Sequence, residues 1–146
     1  MVNFNDMFVL KTKTGLYLKV MKFPGELKLQ ATEVQNGKKN APRVGVFHLN
    51  TRMAFCFHDG EKDYLLKVEG TKLTLEVYKG QTEQQLSDDY WFQKVNLGTG
   101  EHHGLQTVRS NQYLCIQEYE PTVMLTEHKQ YCLSVRKMEV HKALTT

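Results

Sequence analysis

Hydrophobic and polar residues alternate along most of this chain, and the alternation recurs at a fixed spacing. A period of two is clear at residues 16–20 and 73–77, where one side of an extended segment is apolar and the other polar. The segment at residues 17–20 recurs at 65–68 and again at 113–116, and each step is 48 residues long. Self-similarity at a fixed period indicates a fold built from three similar units.

Each unit contains four strand-like segments. The segment described above is the second in each unit. The first segments are residues 7–10, 54–57 and 105–108, the third are 26–29, 72–75 and 122–125, and the fourth are 44–49, 90–95 and 131–135. Turn dipeptides such as Pro24-Gly25 and Asp59-Gly60 separate them, because glycine accepts the positive φ that these turns require. Four strands in each of three units predict an all-β fold, a twelve-stranded β-trefoil with three pseudo-repeats of about 48 residues.

The same alternation predicts which side chains fill the core. Three repeats around a pseudo-axis would close a six-stranded barrel, which removes exposed sheet edges, and three hairpins would cap one end of it. A single short helical turn is expected at residues 82–86. The residues predicted to face inward are Leu18, Leu66, Leu114, Val20, Val68, Ile116, Leu29, Leu75, Leu125, Phe47, Phe92 and Leu133.

Length and composition predict one globular domain over residues 1–146. The sequence is 40% hydrophobic and 24% charged, and no Pro/Ser-rich linker divides it. The formal net charge of +3 is too small to indicate nucleic-acid binding by itself. Its distribution is uneven, since residues 10–45 carry eight basic and two acidic residues, whereas residues 58–101 carry nine acidic residues and five lysines. Such patches favour recognition of a charged partner.

The three cysteines, Cys56, Cys115 and Cys132, lie in apolar stretches and are expected to be free thiols that act as small hydrophobic side chains. The sequence shows no signal peptide, no apolar run long enough to cross a membrane and no N-glycosylation sequon. We therefore expect no membrane insertion and no passage through the conventional secretory pathway.

No pattern of catalytic or metal-binding residues stands out. Cys56 and His58 share a face of a predicted strand, and the simpler interpretation is a core cysteine beside a histidine at the end of the strand. His102 and His103 are adjacent, so they chelate poorly, and no second ligand pair for zinc is present. Phosphate-loop, dinucleotide and nucleophile-elbow motifs are missing from the sequence. We predict a protein that is not an enzyme and holds no metal and no cofactor.

Two classes of binding protein are also disfavoured. The lysines near the N-terminus have few aromatic residues between them, whereas a nucleic-acid surface would pair exposed aromatics with basic groups. The chain has a single tryptophan, Trp91, so it lacks the repeated Gln-X-Trp motif of trefoil lectins. We predict no nucleic-acid partner.

Three segments resemble the interleukin-1 family of cytokines. Residues 39–43, Lys-Asn-Ala-Pro-Arg, resemble an Asn-Ala-Pro-Arg segment found in interleukin-18-like members. Residues 87–95 are similar to the family's acidic turn leading into an aromatic strand, and residues 104–125 to its late strand pattern. The chain departs from the family at Thr107, where serine is usual, and at residues 133–135, which lack a common Asp-Phe pair.

The resemblance implies a secreted cytokine that acts without catalysis. Members of the family are often made without a signal peptide, as cytoplasmic precursors that are trimmed and then released. Such a ligand would be a monomer that binds a cell-surface receptor with immunoglobulin domains and, as an agonist, recruits a co-receptor of the same family. Inflammatory or immune signalling would follow, and the sequence does not separate an agonist from an antagonist.

Receptor binding through two faces would use loop residues of this chain. The first face is expected in the basic region, with Phe23 as an apolar anchor at a turn. The second is expected at the loops of residues 50–52, 96–103 and 127–130. The predicted receptor-binding residues are Lys13, Lys22, Phe23, Lys38 and Arg43 on the first face, and Asn50, Arg52, His102, His103 and Lys129 on the second.

Two other functions remain open. A heparin-binding ligand like the fibroblast growth factors would need a dense basic cluster late in the chain, where only Arg136, Lys137 and Lys142 occur. An intracellular trefoil scaffold similar to fascin would also suit free thiols.

Overall fold

The computed structural model describes residues 7–98, 100–117 and 119–139, with the side chains of Lys38 and Glu139 outside that description. It contains the twelve strands that the repeat predicts. They are β1 (Met7–Thr12), β2 (Tyr17–Phe23), β3 (Glu26–Thr32), β4 (Val44–Leu49), β5 (Arg52–His58), β6 (Asp63–Glu69), β7 (Lys72–Val77), β8 (Phe92–Val95), β9 (Gly104–Thr107), β10 (Tyr113–Ile116), β11 (Val123–Thr126) and β12 (Val135–Glu139).

Six of these strands form a closed barrel. Antiparallel pairing runs from β1 through β4, β5 and β8 to β9, and β12 pairs with β1 on the other side. The ring closes where His103, just before β9, exchanges two backbone hydrogen bonds of 2.8 Å with Val135 of β12. Within the described residues, closure therefore pairs both edges of each barrel strand.

The other six strands form three antiparallel hairpins, β2–β3, β6–β7 and β10–β11. Strands β3, β7 and β11 contact one another, so the hairpins meet at one end of the barrel, which we call the hairpin end. Two polar contacts fasten the first hairpin to the third: Lys28 Nζ lies 2.7 Å from Glu120 Oε1, and Gln30 Nε2 donates to Thr122 Oγ1 at 3.0 Å.

The core confirms most of the predicted inward residues. Seven of them are buried, namely Leu18, Val20, Leu29, Leu66, Val68, Phe92 and Leu114. Four are partly buried and pack against the same core, namely Leu75, Ile116, Leu125 and Leu133.

The prediction for Phe47 was wrong. Val46 of β4 enters the barrel core opposite Phe55, and neighbouring residues of a strand face opposite sides. Phe47 therefore packs outside the barrel, with its ring centroid 5.7 Å from that of Tyr78, in a second cluster around Trp91. Because β4 has apolar residues on both faces, alternation alone could not show which of them point into the barrel.

Helical turns replace strand in two places. The strand predicted at residues 131–135 is wrong for most of its length: a 3₁₀ turn covers Lys129–Tyr131, and β12 begins at Val135. A second 3₁₀ turn, Asp88–Tyr90, shortens the strand predicted at residues 90–95 to β8. The helical turn expected at residues 82–86 is confirmed as a 3₁₀ turn at Glu83–Gln85.

One short helix, α1 (Gly37–Asn40), was not predicted. Asn36 before it takes a left-handed conformation with φ of 60°. In the described part of the chain, no helix is long and apolar enough to cross a membrane.

Candidate functional site

The tip of the first hairpin presents an apolar side chain to solvent beside a lysine. Phe23 ends β2 and is 40% exposed, while Lys28 Nζ lies 5.4 Å from the centroid of its ring. Phe23 and Lys22 line an open groove of about 700 Å³ between the first and second hairpins, together with Leu27, Tyr64 and Leu73. This groove combines an apolar floor with a basic edge.

Lys22 is held in place by a carboxylate from the turn that follows β5. Asp59 Oδ2 lies 3.0 Å from Lys22 Nζ, and Asp59 Oδ1 accepts hydrogen bonds from the backbone N–H groups of Glu61 and Lys62 at 2.9 and 2.8 Å. Burial opposes ionisation of Asp59, but these two N–H groups and the ammonium of Lys22 outweigh it and hold its pKa well below the usual range. The side chain of Asp59 is only 6% exposed, whereas that of Lys22 is 50% exposed, so the turn fixes the carboxylate and Lys22 remains accessible to solvent.

Arg43 stands at a second pocket next to this groove. Its guanidinium donates to the carbonyl oxygens of Ala41 at 2.9 Å and Lys39 at 3.3 Å, so it caps the end of α1. The pocket measures about 310 Å³ and is lined by residues that include Lys19, Arg43 and Asp59. Because Asp59 binds Lys22, the pocket and the groove adjoin. We call them together the hairpin-end surface, defined by Lys19, Lys22, Phe23, Arg43 and Asp59.

The structure therefore brings together three of the five residues predicted for the first face, Lys22, Phe23 and Arg43. Lys13 lies at the opposite end of β2, where its backbone N–H donates to the carbonyl oxygen of Ser134 at 3.2 Å. Seven strand residues span roughly 20 Å, so Lys13 is too far from Phe23 to share one small contact area. The side chain of Lys38 lies outside the described residues.

The second predicted face falls at the other end of the barrel, which we call the barrel mouth. β5 begins there, after the turn at Asn50, and it ends at His58 next to the hairpin-end surface. Asn50 adopts a left-handed conformation with φ of 57° and lines an open pocket of about 470 Å³ with Met53 and Lys94. Met53 and Lys94 also border a small apolar opening that includes His103. Asn50 and His103 thus belong to one continuous surface.

The remaining residues of the second face point elsewhere. Arg52 alternates with the inward-facing Met53, and its Nη1 lies 3.5 Å from Asp88 Oδ1 on the outside of the barrel. His102 is half-buried beside His103. Lys129 lies in the 3₁₀ turn that packs against β10. Burial, together with the nearby Lys94 and His102, lowers the pKa of His103.

The thiols and His58 show no catalytic arrangement in the described residues. Burial raises the pKa of Cys56 well above its ordinary value, and the nearby Asp63 adds to the effect. His58 Nδ1 lies 2.8 Å from Asp63 Oδ1, so this histidine already has a partner at the end of β5. The three cysteines are free, and no group of three or more described His, Cys, Asp or Glu residues is placed to hold a metal ion.

Sequence reasoning missed Asp59 on the hairpin-end surface and Lys94 and Lys137 at the barrel mouth. Asp59 was treated only as a turn residue, because its contact with Lys22 joins two repeats that are far apart in the chain. Lys94 has no basic neighbour in the sequence, and Lys137 was considered only with Arg136 as part of a late basic cluster. Their position two residues after Phe92 and Val135 was the available signal, since residues two apart share a strand face.

No protein-family model matches the sequence, and no curated protein matches it significantly. Solved structures do resemble it. The designed three-fold symmetric protein ThreeFoil aligns with a TM-score of 0.65 and 12% identity over 92% of this chain and 99% of its own. A BEL β-trefoil in an apo crystal form aligns with a TM-score of 0.64 and 12% identity, covering 96% of this chain and 97% of its own.

A third similar structure is the water-soluble chlorophyll protein from Brassica oleracea var. Botrytis, with a TM-score of 0.65 and 12% identity over 96% of this chain and 94% of its own. At such low identity these likenesses define the fold alone. Together with the closed barrel and its three hairpins, they establish that this chain is a β-trefoil. Fold alone does not assign a function, because function depends on sites built on the fold.

Proposed function

We propose that this β-trefoil is a secreted, monomeric ligand of the interleukin-1 family type that acts by binding rather than catalysis. Its primary partner would be a receptor with immunoglobulin domains, engaged by the hairpin-end surface. As an agonist it would then recruit a co-receptor of the same family and trigger inflammatory or immune signalling. Release would not need a signal peptide, and the precursor would be cytoplasmic.

One observation carries the proposal: the segment that resembles the family adjoins the exposed aromatic anchor. Residues 40–43 line the pocket of Arg43, and that pocket meets the groove of Phe23 through the Lys22–Asp59 ion pair. In the sequence, the segment that carries the resemblance ends at Arg43, twenty residues after the exposed Phe23. Their meeting at one surface favours a shared role in binding.

The composition of this surface suits a protein partner. Aromatic and arginine side chains supply most of the binding energy at protein interfaces when their neighbours exclude water. Phe23 would supply the apolar anchor, and Arg43 would pair with a partner carboxylate through a bidentate contact. Lys19 would attract an acidic partner surface and raise the association rate, whereas the charge of Lys22 is already paired with Asp59. We expect such an interface to bury roughly 800 Å² on each partner.

The test is surface plasmon resonance against a panel of interleukin-1-family receptor ectodomains. The first prediction is that the wild-type protein binds one ectodomain saturably and that Phe23→Ala weakens this binding at least about tenfold, as the loss of an aromatic anchor should. Tyr119→Ala is the matched control, because Tyr119 is 91% exposed and lies outside the hairpin-end surface.

Two results would count against the proposal. Absence of binding to every ectodomain would reject the receptor class. Equal affinity of Phe23→Ala and the wild type would reject the surface, even if a receptor bound. Circular dichroism of both variants would exclude misfolding as the cause of a loss.

A further inference from the structure

The three hairpins at the hairpin end are not joined to one another in the same way. The first and the third are linked by the backbone N–H of Ala31, which donates to the carbonyl oxygen of Pro121 at 2.8 Å. The three-fold repeat places Val77 of β7 at the position of Ala31, since the two follow the matching segments 26–29 and 72–75 by two residues. Among the described residues, no backbone hydrogen bond joins Val77 or any other part of β7 to a neighbouring hairpin.

The residues at this junction explain the difference. The first and third hairpins also share a hydrogen bond from Gln30 Nε2 to Thr122 Oγ1 at 3.0 Å. In the repeat, the matching residues of the second and first hairpins are Glu76 and Glu26, two carboxylates that would repel each other. Glu76 instead accepts a hydrogen bond from the hydroxyl group of Tyr90. In the described part of the chain, β7 therefore has no polar junction with the first hairpin.

The register of β7 with β6 shows which backbone groups face this edge. The N–H of Tyr78 donates to the carbonyl oxygen of Asp63 at 2.8 Å, and hydrogen-bonded pairs alternate along an antiparallel ladder. Every second residue of β7 therefore bonds to β6, and the others direct their N–H and C=O groups to the opposite edge. These others are Leu73, Leu75 and Val77. An unpaired strand edge of this kind can accept a further strand.

An open groove runs along the same edge. Four consecutive residues of β7, Lys72–Leu75, line the groove of about 700 Å³, which Phe23 and Leu27 border on the side of the first hairpin. Consecutive strand residues point to opposite faces, so it is the edge of β7 that borders the groove. The apolar gap of about 120 Å³ between the hairpins shares Leu27, Leu73 and Leu75 with the groove. It is large enough for about one small apolar side chain.

The charges at the groove are of both signs. Lys22, which pairs with Asp59, and Lys72 lie on its border together with Glu26. Neither sign dominates, so the groove does not suit a polyanion or a polycation. Main-chain hydrogen bonds and apolar contacts are the interactions that it offers, and an extended polypeptide uses both.

We propose that the free edge of β7 binds an extended segment of a protein partner, which adds to the second hairpin as a further strand. The backbone groups of Leu73 and Leu75 pair with the main chain of this segment. Every second side chain of the segment enters the groove, and one of them fills the apolar gap. The site lies at the receptor-binding end of the proposed function, on which the identity of the partner as a receptor rests. The partner element that docks there is an extended strand with apolar residues at alternate positions.

Hydrogen exchange tests the site with a peptide selected against the wild-type protein from a phage-displayed library of random peptides, so no receptor is needed. The backbone N–H groups of Leu73 and Leu75 should exchange quickly in the free protein and about tenfold or more slowly in the complex, measured by nuclear magnetic resonance. Those of Thr74 and Glu76 already bond to β6 and serve as the matched control, because the peptide should change their exchange much less.

Changes in the peptide give a second measurement that cannot be confused with misfolding of the protein. Each backbone nitrogen of the selected peptide is methylated in turn, which removes one hydrogen-bond donor at a time. Methylation at every second position, where the N–H faces β7, should weaken binding about fivefold or more, and methylation at the positions between them less than about twofold. Isothermal titration calorimetry measures the affinities.

Four outcomes overturn the proposal: no peptide is selected, the effect of methylation does not alternate, protection falls outside β7, or Leu73 and Leu75 are already protected in the free protein. In the last case, a concentration-dependent mass in analytical ultracentrifugation would identify a second copy of the chain as the occupant. A peptide that protects β7 while every receptor ectodomain fails to bind would reject the proposed function and keep the strand site. A receptor that binds without protecting Leu73 and Leu75 would do the reverse.

Discussion

The two ends of the barrel differ in what occupies the pseudo-threefold axis. At the hairpin end, Leu27, Leu66 and Leu73 from the first two hairpins converge with Val123 of the third over a gap of about 120 Å³. At the mouth, Lys94, His103 and Lys137 stand in the corresponding inward rows. Apolar closure stabilises a fold, whereas clustered cations do not. The hairpin end is therefore the end where apolar packing stabilises the fold, and the mouth is the end that carries the cationic side chains.

The largest expected effect comes from truncating the apolar end. Leu66 is 1% exposed in the apolar cluster at the hairpin end, so Leu66→Ala should lower the free energy of unfolding by about 2–5 kcal/mol through lost burial and a cavity. Lys94→Ala at the mouth should change it by less than about 0.5 kcal/mol. Urea denaturation followed by Trp91 fluorescence measures both. A large loss for Lys94→Ala would mean that the mouth also stabilises the fold.

An intermediate effect is expected at the ion pair beside the hairpin end. The pKa of Asp59 is lower in the folded than in the unfolded chain, so ionised Asp59 favours folding. That contribution is complete above the unfolded pKa, near 4, and is lost as the pH falls below it toward the folded pKa. Asp59→Asn should cost about 1 kcal/mol at pH 7, since the turn keeps an acceptor but loses the attraction of Lys22.

The pH dependence distinguishes this account from a simple packing defect. The difference in stability between the wild type and Asp59→Asn should shrink as the pH is lowered from 7 to 3, mostly below about pH 4, because the Asp59 carboxyl group becomes protonated in the unfolded chain while it stays ionised in the folded one. Urea denaturation at a series of pH values measures it. A difference that stays constant over this range would show that the charge of Asp59 is irrelevant to stability.

The smallest effect concerns the reactivity of the thiols. Cys56 is 1% exposed, whereas Cys115 and Cys132 are half-buried, and burial raises the pKa of all three. Iodoacetamide at pH 8 should label all three slowly, with Cys56 the slowest by about tenfold or more. Peptide mass spectrometry gives the order. Faster labelling of Cys56 than of Cys132 would contradict the packing around Trp91.

The sequence predicted the fold well because its signal is local and repeated. The 48-residue spacing and the alternation around Leu18, Leu66 and Leu114 require only neighbouring residues in a strand. Alternation failed at Phe47, where β4 packs on both faces, and at residues 131–134, where a 3₁₀ turn ends at Tyr131 and the strand begins only at Val135. In both places tertiary packing outweighed the local pattern.

The candidate surfaces were less predictable, since they depend on contacts between distant segments. The sequence pointed to Phe23 through its predicted turn and to Arg43 through the family resemblance. That the two belong to one surface depends on Asp59, which lines the pocket of Arg43 and pairs with Lys22 beside Phe23. The mouth was recognised at Asn50 and His103, whereas its two lysines come from strands 43 residues apart. Only the closure of the barrel through His103 and Val135 reveals that they share an opening.

A single receptor-panel experiment with two variants tests whether the hairpin end is the protein-binding end. We predict that the wild type binds one interleukin-1-family receptor ectodomain and that Phe23→Ala loses at least about tenfold in affinity. Lys94→Gln with Lys137→Gln, at the opposite end, should bind this receptor as the wild type does. Absence of receptor binding, or loss in the mouth variant with Phe23→Ala unaffected, would contradict it.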